Sequence, residues 1–211
     1  MPVSPARVAA LLLAAGAGRR LGTPKALLRD ATGVPWVERA ARRLVLAGCG
    51  PVLVVVGARA AEVAALVPPA LVPPADVVEA AGWHEGMGAS LRAGLVALAE
   101  RSPQPDAVLV ALVDTPGMTT GVVRRVAAAV REPGGGPSVL ARATFDGVPG
   151  HPVLLGRDHW AGVRAAACGD AGARDYLRGR PLRLVECSDI GSGIDVDTRA
   201  ALVAVPPIVE A

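Results

Sequence analysis

A single lysine among 21 arginines marks the stretch of this chain best equipped for chemistry. It closes a run of small residues, Leu13-Ala14-Ala15-Gly16-Ala17-Gly18-Arg19-Arg20-Leu21-Gly22-Thr23-Pro24-Lys25. Small residues at 14–18 let a backbone approach a phosphate chain, whose oxygens take hydrogen bonds from consecutive N–H groups. Chance placement of the one lysine at this position is about 1 in 200 against ordinary composition, so Lys25 reads as a functional cation. Asp114 follows the apolar run at 106–113 and would stand just past a strand end, where ligands of open α/β sheets collect. Mg2+ needs only one or two acids and completes its shell with water or phosphate oxygen. Asp195 and Asp197, two apart on an extended backbone, share one face, and Asp197 is the favoured second contact.

Three more groups could meet a substrate. Gly86, Gly88 and Ser90 form a second glycine-rich turn, with Ser90 expected near the start of a helix, where free N–H groups can read the edge of a base. Gly169, Asp170 and Arg174 combine open backbone with a guanidinium suited to an anionic acceptor. His151, between Gly150 and Pro152, could serve as a general base, although a lone histidine in such a setting more often positions or packs.

Two familiar phosphate-binding patterns fail on these residues. A P-loop needs Ser or Thr directly after its lysine, and here Ala26 follows Lys25. A dinucleotide fingerprint needs its glycines to run into a helix and an acid at the end of the second strand; Pro24 interrupts the first, and Gly57-Ala58-Arg59 lacks the second. An NADP variant with Arg59 near a 2′-phosphate is the one form of that reading left open.

The elements that must position these residues follow from apolar patterning. Residues 8–15 and 51–57 are continuous apolar runs, the mark of strands covered on both faces. Between them, 35–47 places Val37, Ala41, Leu44 and Val45 at helical spacing, with Glu38, Arg39, Arg42 and Arg43 on the other side. The alternation continues through a helix at 60–66, a strand at 76–80, a helix at 90–101, a strand at 106–113 and a helix at 121–131. Beyond the Gly/Pro stretch at 132–137, expected to be the most flexible, come 138–143, a turn at 145–150, a strand at 153–155, helices near 159–166 and 171–178, and a strand at 182–187. The pattern predicts one three-layer α/β/α domain over 1–211 with a mostly parallel central sheet, its nucleotide-binding half at 1–131 and its acceptor-binding half at 138–205.

Composition narrows the class. With 52% hydrophobic residues and a net charge of +3, the chain can build a core, and a disordered polymer is excluded. The arginines are spread out and aromatics make up only 2%, so a nucleic-acid partner is not expected. Cys49, Cys168 and Cys187 form an odd set without CxxC spacing, which predicts buried thiols rather than disulfides or zinc. No run approaches the ~20 apolar residues of a membrane span, and the N-terminal residues lack the plan of a signal peptide; a cytoplasmic protein is the expectation.

The segment from Leu13 to Leu27 reads L-A-A-G-x-x-x-R-x-G-x-x-K-x-L and resembles the signature of MobA-like NTP transferases. Gly86-Met87-Gly88-Ala89-Ser90-Leu91-Arg92-Ala93-Gly94-Leu95, Gly150-His151-Pro152-Val153-Leu154-Leu155-Gly156 and Gly169-Asp170-Ala171-Gly172-Ala173-Arg174 resemble blocks of the MocA-type molybdenum cofactor cytidylyltransferases within that family. The resemblance implies a Rossmann-like, GT-A-like nucleotidyltransferase that moves CMP from CTP onto the phosphate of molybdenum cofactor. Arg20 and Lys25 would lie on the phosphates as catalytic residues, and Leu13, Ala14, Ala15, Gly16, Ala17, Gly18, Gly86, Gly88 and Ser90 around the nucleotide. His151, Gly169, Asp170 and Arg174 would meet the acceptor, and Asp114 with Asp197 would hold Mg2+, or Mn2+ in its place. A molybdoenzyme or its chaperone is the implied protein partner. Alternatives are a guanylyl- or other NTP transferase with a different phosphate- or sugar-phosphate acceptor, and a non-catalytic nucleotide-binding cofactor chaperone. Gly18 where serine is common and Leu21 where methionine is common are departures expected to leave the phosphate geometry unaffected.

Overall fold

The computed structural model describes residues 6–73 and 76–197. Among them, a seven-stranded sheet runs in the order β3-β2-β1-β4-β6-β5-β7. Its strands are β1 (Val8–Leu13), β2 (Val52–Val56), β3 (Val77–Glu79), β4 (Ala107–Leu112), β5 (Leu140–Phe145), β6 (Val148–Gly156) and β7 (Arg183–Glu186). All adjacent pairs are parallel except those made by β6, which is antiparallel to β4 and β5. The expected three-layer α/β architecture with a mostly parallel sheet is therefore present.

The unbroken apolar character of β1 follows from burial on both faces. Ala10 and Leu12 point into one core with Val37 and Leu44 of α1 (Trp36–Leu46) and with Val122 and Val126 of α4 (Thr120–Ala128). Ala9, Leu11 and Leu13 point into the other, with Leu91, Leu95 and Leu98 of α3 (Met87–Ala99) and with Trp160 and Val163 of α5 (Trp160–Ala166). The short helices α2 (Ala60–Ala65) and α6 (Arg174–Leu177) complete the described set. Gly94 explains how closely α3 lies on the sheet: a Cβ there would come within 2.9 Å of Leu11 and 3.1 Å of Val55.

Several expectations need adjustment. The helix placed at 90–101 begins at Met87, so Ser90 lies inside its first turns and is no N-cap; Gly86 holds that position. Arg43 is not on the solvated face of α1. It is 2% exposed and donates from Nη1 to the carbonyl of Pro116 at 2.8 Å, bracing the loop that carries Asp114. The strand expected at 153–155 extends back to Val148 because Asp146 and Gly147, at φ 51° and 76°, form a two-residue hairpin turn whose left-handed residues match strand twist. The Gly/Pro stretch at 132–137 is a tied turn, with Gly135 donating to the Glu132 carbonyl at 2.8 Å and Arg183 paired with Glu132.

Candidate active site

Loops beyond the carboxyl ends of β1 and β4, the turn before α3 and one strap meet around a cleft of about 460 Å³. The first loop follows β1. Ala14 still donates to the Val55 carbonyl at 2.8 Å, after which the chain leaves the sheet. Gly18 then turns at φ +60°, and Leu21 and Gly22 both donate back to its carbonyl at 2.9 Å. Among the described residues, the N–H groups of Gly16, Ala17 and Gly18 have no protein acceptor, which leaves them available to phosphate oxygens.

Gly18 proves more than a tolerated departure. A Cβ there would lie 1.8 Å from the Thr23 carbonyl oxygen, in addition to the left-handed φ. Gly18→Ser should lower stability by about 2 kcal/mol or more and weaken nucleotide binding, as read by thermal unfolding and calorimetry; an unchanged midpoint would show that the loop relaxes at no cost.

Lys25 sits at the head of a 3-10 turn and reaches back across the cleft. Its Nζ donates to Asp114 Oδ2 at 2.6 Å and to Asp197 Oδ1 at 2.5 Å. Burial works against its charge, but these two carboxylates more than offset that and raise its pKa. The Lys25 bond and charge hold the Asp197 carboxyl below its ordinary range. Arg20, with its side chain largely in solvent, touches Asp197 from the other side at 3.4 Å. Asp195 stands near the same group: burial first, then the neighbouring Asp114 charge, pushes its pKa up to about 6.

The strap delivering these acids is held by main-chain bonds. Ser192 donates to the Gly117 carbonyl and Val196 to the Asp114 carbonyl, both at 3.0 Å. Thr119 caps α4 by accepting from Val122 N–H, and its hydroxyl donates to the Ile190 carbonyl at 2.8 Å. Val196, buried between the two acids, anchors them around Asp114.

The third part is the turn before α3. Gly86 adopts φ +113°, and a Cβ on it would meet the Gly169 carbonyl carbon at 2.5 Å and Asp170 Oδ1 at 2.7 Å. At Gly88 a Cβ would meet the Cys168 nitrogen at 2.8 Å. These two glycines therefore let the turn press directly on residues 168–170. Trp83, His84 and Met87 line the cleft beside Gly86 and Ser90. None of the three is singled out by residue type and spacing alone, although Met87 lies in the motif block that starts at Gly86, Trp83 and His84 stand just before it, and Trp is rare in this chain.

Most residues singled out in the sequence do converge here. Leu13, Ala15, Gly16, Ala17, Gly18 and Arg20 line one wall; Lys25, Asp114 and Asp197 the floor; Gly86, Ser90 and Asp170 the opposite wall. Ala14 is fully buried in the core, and Gly88 is spent on packing. Gly169 touches Gly86 but does not line the cleft, and neither His151 nor Arg174 is among the residues that line it.

His151 is uncharged at neutral pH. Burial, then the charges of Arg142 and Arg174, pull its pKa down to about 4. The unfolded chain therefore takes up a proton near pH 6.5 that the folded protein refuses until about pH 4. Stability should fall across that window as the pH drops, by roughly 2 kcal/mol. Urea titrations at pH 7 and pH 4.5 would show the loss in the native protein and its reduction in His151→Gln; an equal loss in both would place the acid sensitivity elsewhere.

A family model described as the MobA-like NTP transferase domain matches residues 10–186. The chain belongs to that family. Over 201 residues it is 39% identical to a protein of Paenarthrobacter nicotinovorans named nicotine blue oxidoreductase, covering 90% of this chain and 92% of that one. Among solved structures it is similar to Rv0371c of Mycobacterium tuberculosis H37Rv, with 25% identity, a TM-score of 0.73, and 96% of this chain and 100% of that chain covered. The manganese complex of Rv0371c aligns at 23% identity and a TM-score of 0.68, over 94% of this chain and 100% of that chain. A nucleotidyl transferase from Methanothermobacter, Mth528, shares the fold at 22% identity and a TM-score of 0.71, over 94% and 95% of the two chains. The fold and family of this chain are thus those of nucleotidyltransferases. No helix among the described residues is long and apolar enough to cross a membrane.

Proposed function

We propose that the protein transfers a nucleotidyl group, CMP from CTP, to the terminal phosphate of molybdenum cofactor and releases pyrophosphate. The observation that carries this reading is the placement of Lys25 between Asp114 and Asp197 on the floor of a cleft whose wall is a glycine-rich loop with free N–H groups. A phosphate oxygen of the acceptor attacks the α-phosphorus, and the bond from that phosphorus to the pyrophosphate oxygen breaks. The acceptor is already an anionic nucleophile, so the protein needs no activated serine or cysteine. Its task is alignment and neutralisation of charge. The loop N–H groups hold the triphosphate, Lys25 and Arg20 stabilise charge on the leaving pyrophosphate, and Trp83, His84 and Ser90 with the turn at Gly86 surround the base.

The donor set fits a divalent cation. Asp114 Oδ1 is buried without a hydrogen-bond partner, and Asp195 and Asp197 bring two more hard oxygen donors nearby. As the side chains stand, no three metal-ligating groups among the described residues are gathered around one point, because the Lys25 ammonium occupies the space between Asp114 and Asp197. Asp114 and Asp197 would hold Mg2+ or Mn2+ together with water and phosphate oxygens, and manganese binding by Rv0371c supports that assignment. Such an ion supplies charge neutralisation on the triphosphate. On this reading the acceptor enters past Asp170 and the strands after residue 138.

Mass spectrometry of products after incubation with CTP or GTP, Mg2+ and isolated molybdenum cofactor tests the reading. A cytosine dinucleotide cofactor with stoichiometric pyrophosphate is the expected result. Guanosine product would change the nucleotide, and no pyrophosphate with either would overturn the transfer.

One observation favours a second reading, namely the relative named as an oxidoreductase. On it, the same cleft would bind a nicotinamide dinucleotide for hydride transfer to an organic substrate. Arg59, the residue reserved for a 2′-phosphate, is bound instead to Glu62 and lies outside the cleft. Consumption of NADH or NADPH with an organic acceptor, without pyrophosphate release, would select this alternative.

A further inference from the structure

The bridge that Lys25 makes between Asp114 and Asp197 leaves both sides incompletely met. The backbone beneath it is fixed: the carbonyls of Pro24 and Lys25 accept from Leu27 and Leu28 at 3.0 Å, and Ala26 is buried. The side chain is a flexible four-carbon stem whose ammonium is tied only to Asp114 Oδ2 and Asp197 Oδ1. Among the described residues its third N–H has no acceptor. On the acid side, the ammonium serves one oxygen of Asp114 and leaves Oδ1 buried without a partner. A donor on the other oxygen does not remove that cost, whereas a hydrated divalent ion brings water donors of its own.

Mg2+ bonds a carboxylate oxygen at about 2.0–2.1 Å, and the ammonium nitrogen already stands 2.6 Å from Asp114 Oδ2 and 2.5 Å from Asp197 Oδ1. An ion bridging those two oxygens falls beside the ammonium, where a single and a double positive charge repel. The remaining pair of oxygens is no equal substitute, because Asp114 Oδ1 is buried and Asp197 Oδ2 is touched by Arg20 at 3.4 Å. Two cations therefore compete for one pair of acids. The cleft also holds a second place for the ammonium. Lys25 lines it together with Gly16, Ala17 and Gly18, whose N–H groups have no protein acceptor, so a triphosphate lying on that loop brings fresh oxygens within reach of the lysine stem.

We infer that the Lys25 ammonium and a divalent cation are alternative occupants of the Asp114–Asp197 pair, and that the ammonium yields its place by moving onto the phosphates of the bound nucleotide. Lys25 thereby makes metal loading conditional on nucleotide. A nucleotide that draws off the ammonium raises the affinity of the acids for the ion, and by reciprocity the ion raises the affinity for the nucleotide. No covalent bond changes in this step; only the partners of the two carboxylates do. The inference rests on the transfer reading for the identity of the nucleotide, whereas the exchange at the two acids belongs to this chain alone.

The single lysine makes the exchange directly visible, because isotope-labelled lysine yields one side-chain spin system in NMR spectra, that of Lys25. Titration with Mg2+ alone should displace its Cε and Nζ resonances saturably, and only at high concentration. With the non-hydrolysable α,β-methylene analogue of CTP present, the displacement should need about tenfold less free Mg2+, the size of an ordinary coupling between two ligands. Asp114→Asn should remove the response to Mg2+. Lys25→Met should bind Mn2+ about tenfold more tightly than the native chain, read from the paramagnetic resonance of free Mn2+. Lysine resonances that stay in place at saturating Mg2+, or a Lys25→Met chain that binds Mn2+ no more tightly, would overturn the exchange; a Mg2+ midpoint that the CTP analogue leaves unchanged would overturn the dependence on nucleotide. Displacement of the lysine by Mg2+ with no pyrophosphate released in the product assay upholds the exchange and removes only the transfer reading.

Discussion

Lys25→Ala should lower turnover by about 100-fold or more, the effect of deleting an electrostatic stabiliser of developing charge. The free protein should register the loss as well. Asp114 and Asp197 share this one ammonium at 2.6 and 2.5 Å, so its removal leaves facing carboxylates without their counter-charge. Asp197 now has a depressed pKa, which contributes stability above its unfolded pKa that disappears as the pH falls through the folded value. Without Lys25 that contribution is already absent at neutral pH, and the stability of the variant should depend less on pH in the acid range. Steady-state pyrophosphate release and unfolding titrations at pH 7 and pH 4 read the two effects. Unchanged turnover in a folded variant would remove Lys25 from the chemistry.

Asp114→Asn should reduce metal-dependent activity to background, a loss on the order of 1,000-fold, since a metal supplies several kcal/mol of charge stabilisation. The change is isosteric and keeps the backbone bond from Val196 to the residue 114 carbonyl, so the strap should stay in place. What is lost is the negative charge on the buried Oδ1, which has no other partner. Nucleotide binding in the absence of metal should survive, because the loop N–H groups and Lys25 remain. Calorimetry with CTP, with and without Mg2+, separates the two terms. Retained activity would transfer the metal to Asp195 and Asp197.

The architecture was legible because buried parallel strands advertise themselves. The apolar runs that became β1, β2 and β4 are continuous, and the carboxyl ends of β1 and β4, read from Gly16 and Asp114, are where the cleft opens. Lys25 could be found because a lone lysine in an arginine-rich chain carries information that composition alone does not erase. What the sequence hid depends on contacts between distant residues. Arg43 has the periodicity of a solvated position and is buried because the Pro116 carbonyl lies 73 residues away in the chain and beside it in space. Ser90 was misplaced at the helix start because an N-capping residue type drew the boundary three residues late, while Gly86 marks the true one.

The contact between Gly86 and residues 169–170 has an evolutionary consequence. The wall proposed to face the base and the segment proposed to face the acceptor touch backbone to backbone, with no room for a methyl group between them. Such a joint cannot absorb a change on one side alone. Substitutions that retune the choice of nucleotide at 86–88 should be epistatic with substitutions at 168–170, and a lineage that switches acceptor would have to cross that junction with paired mutations rather than single steps.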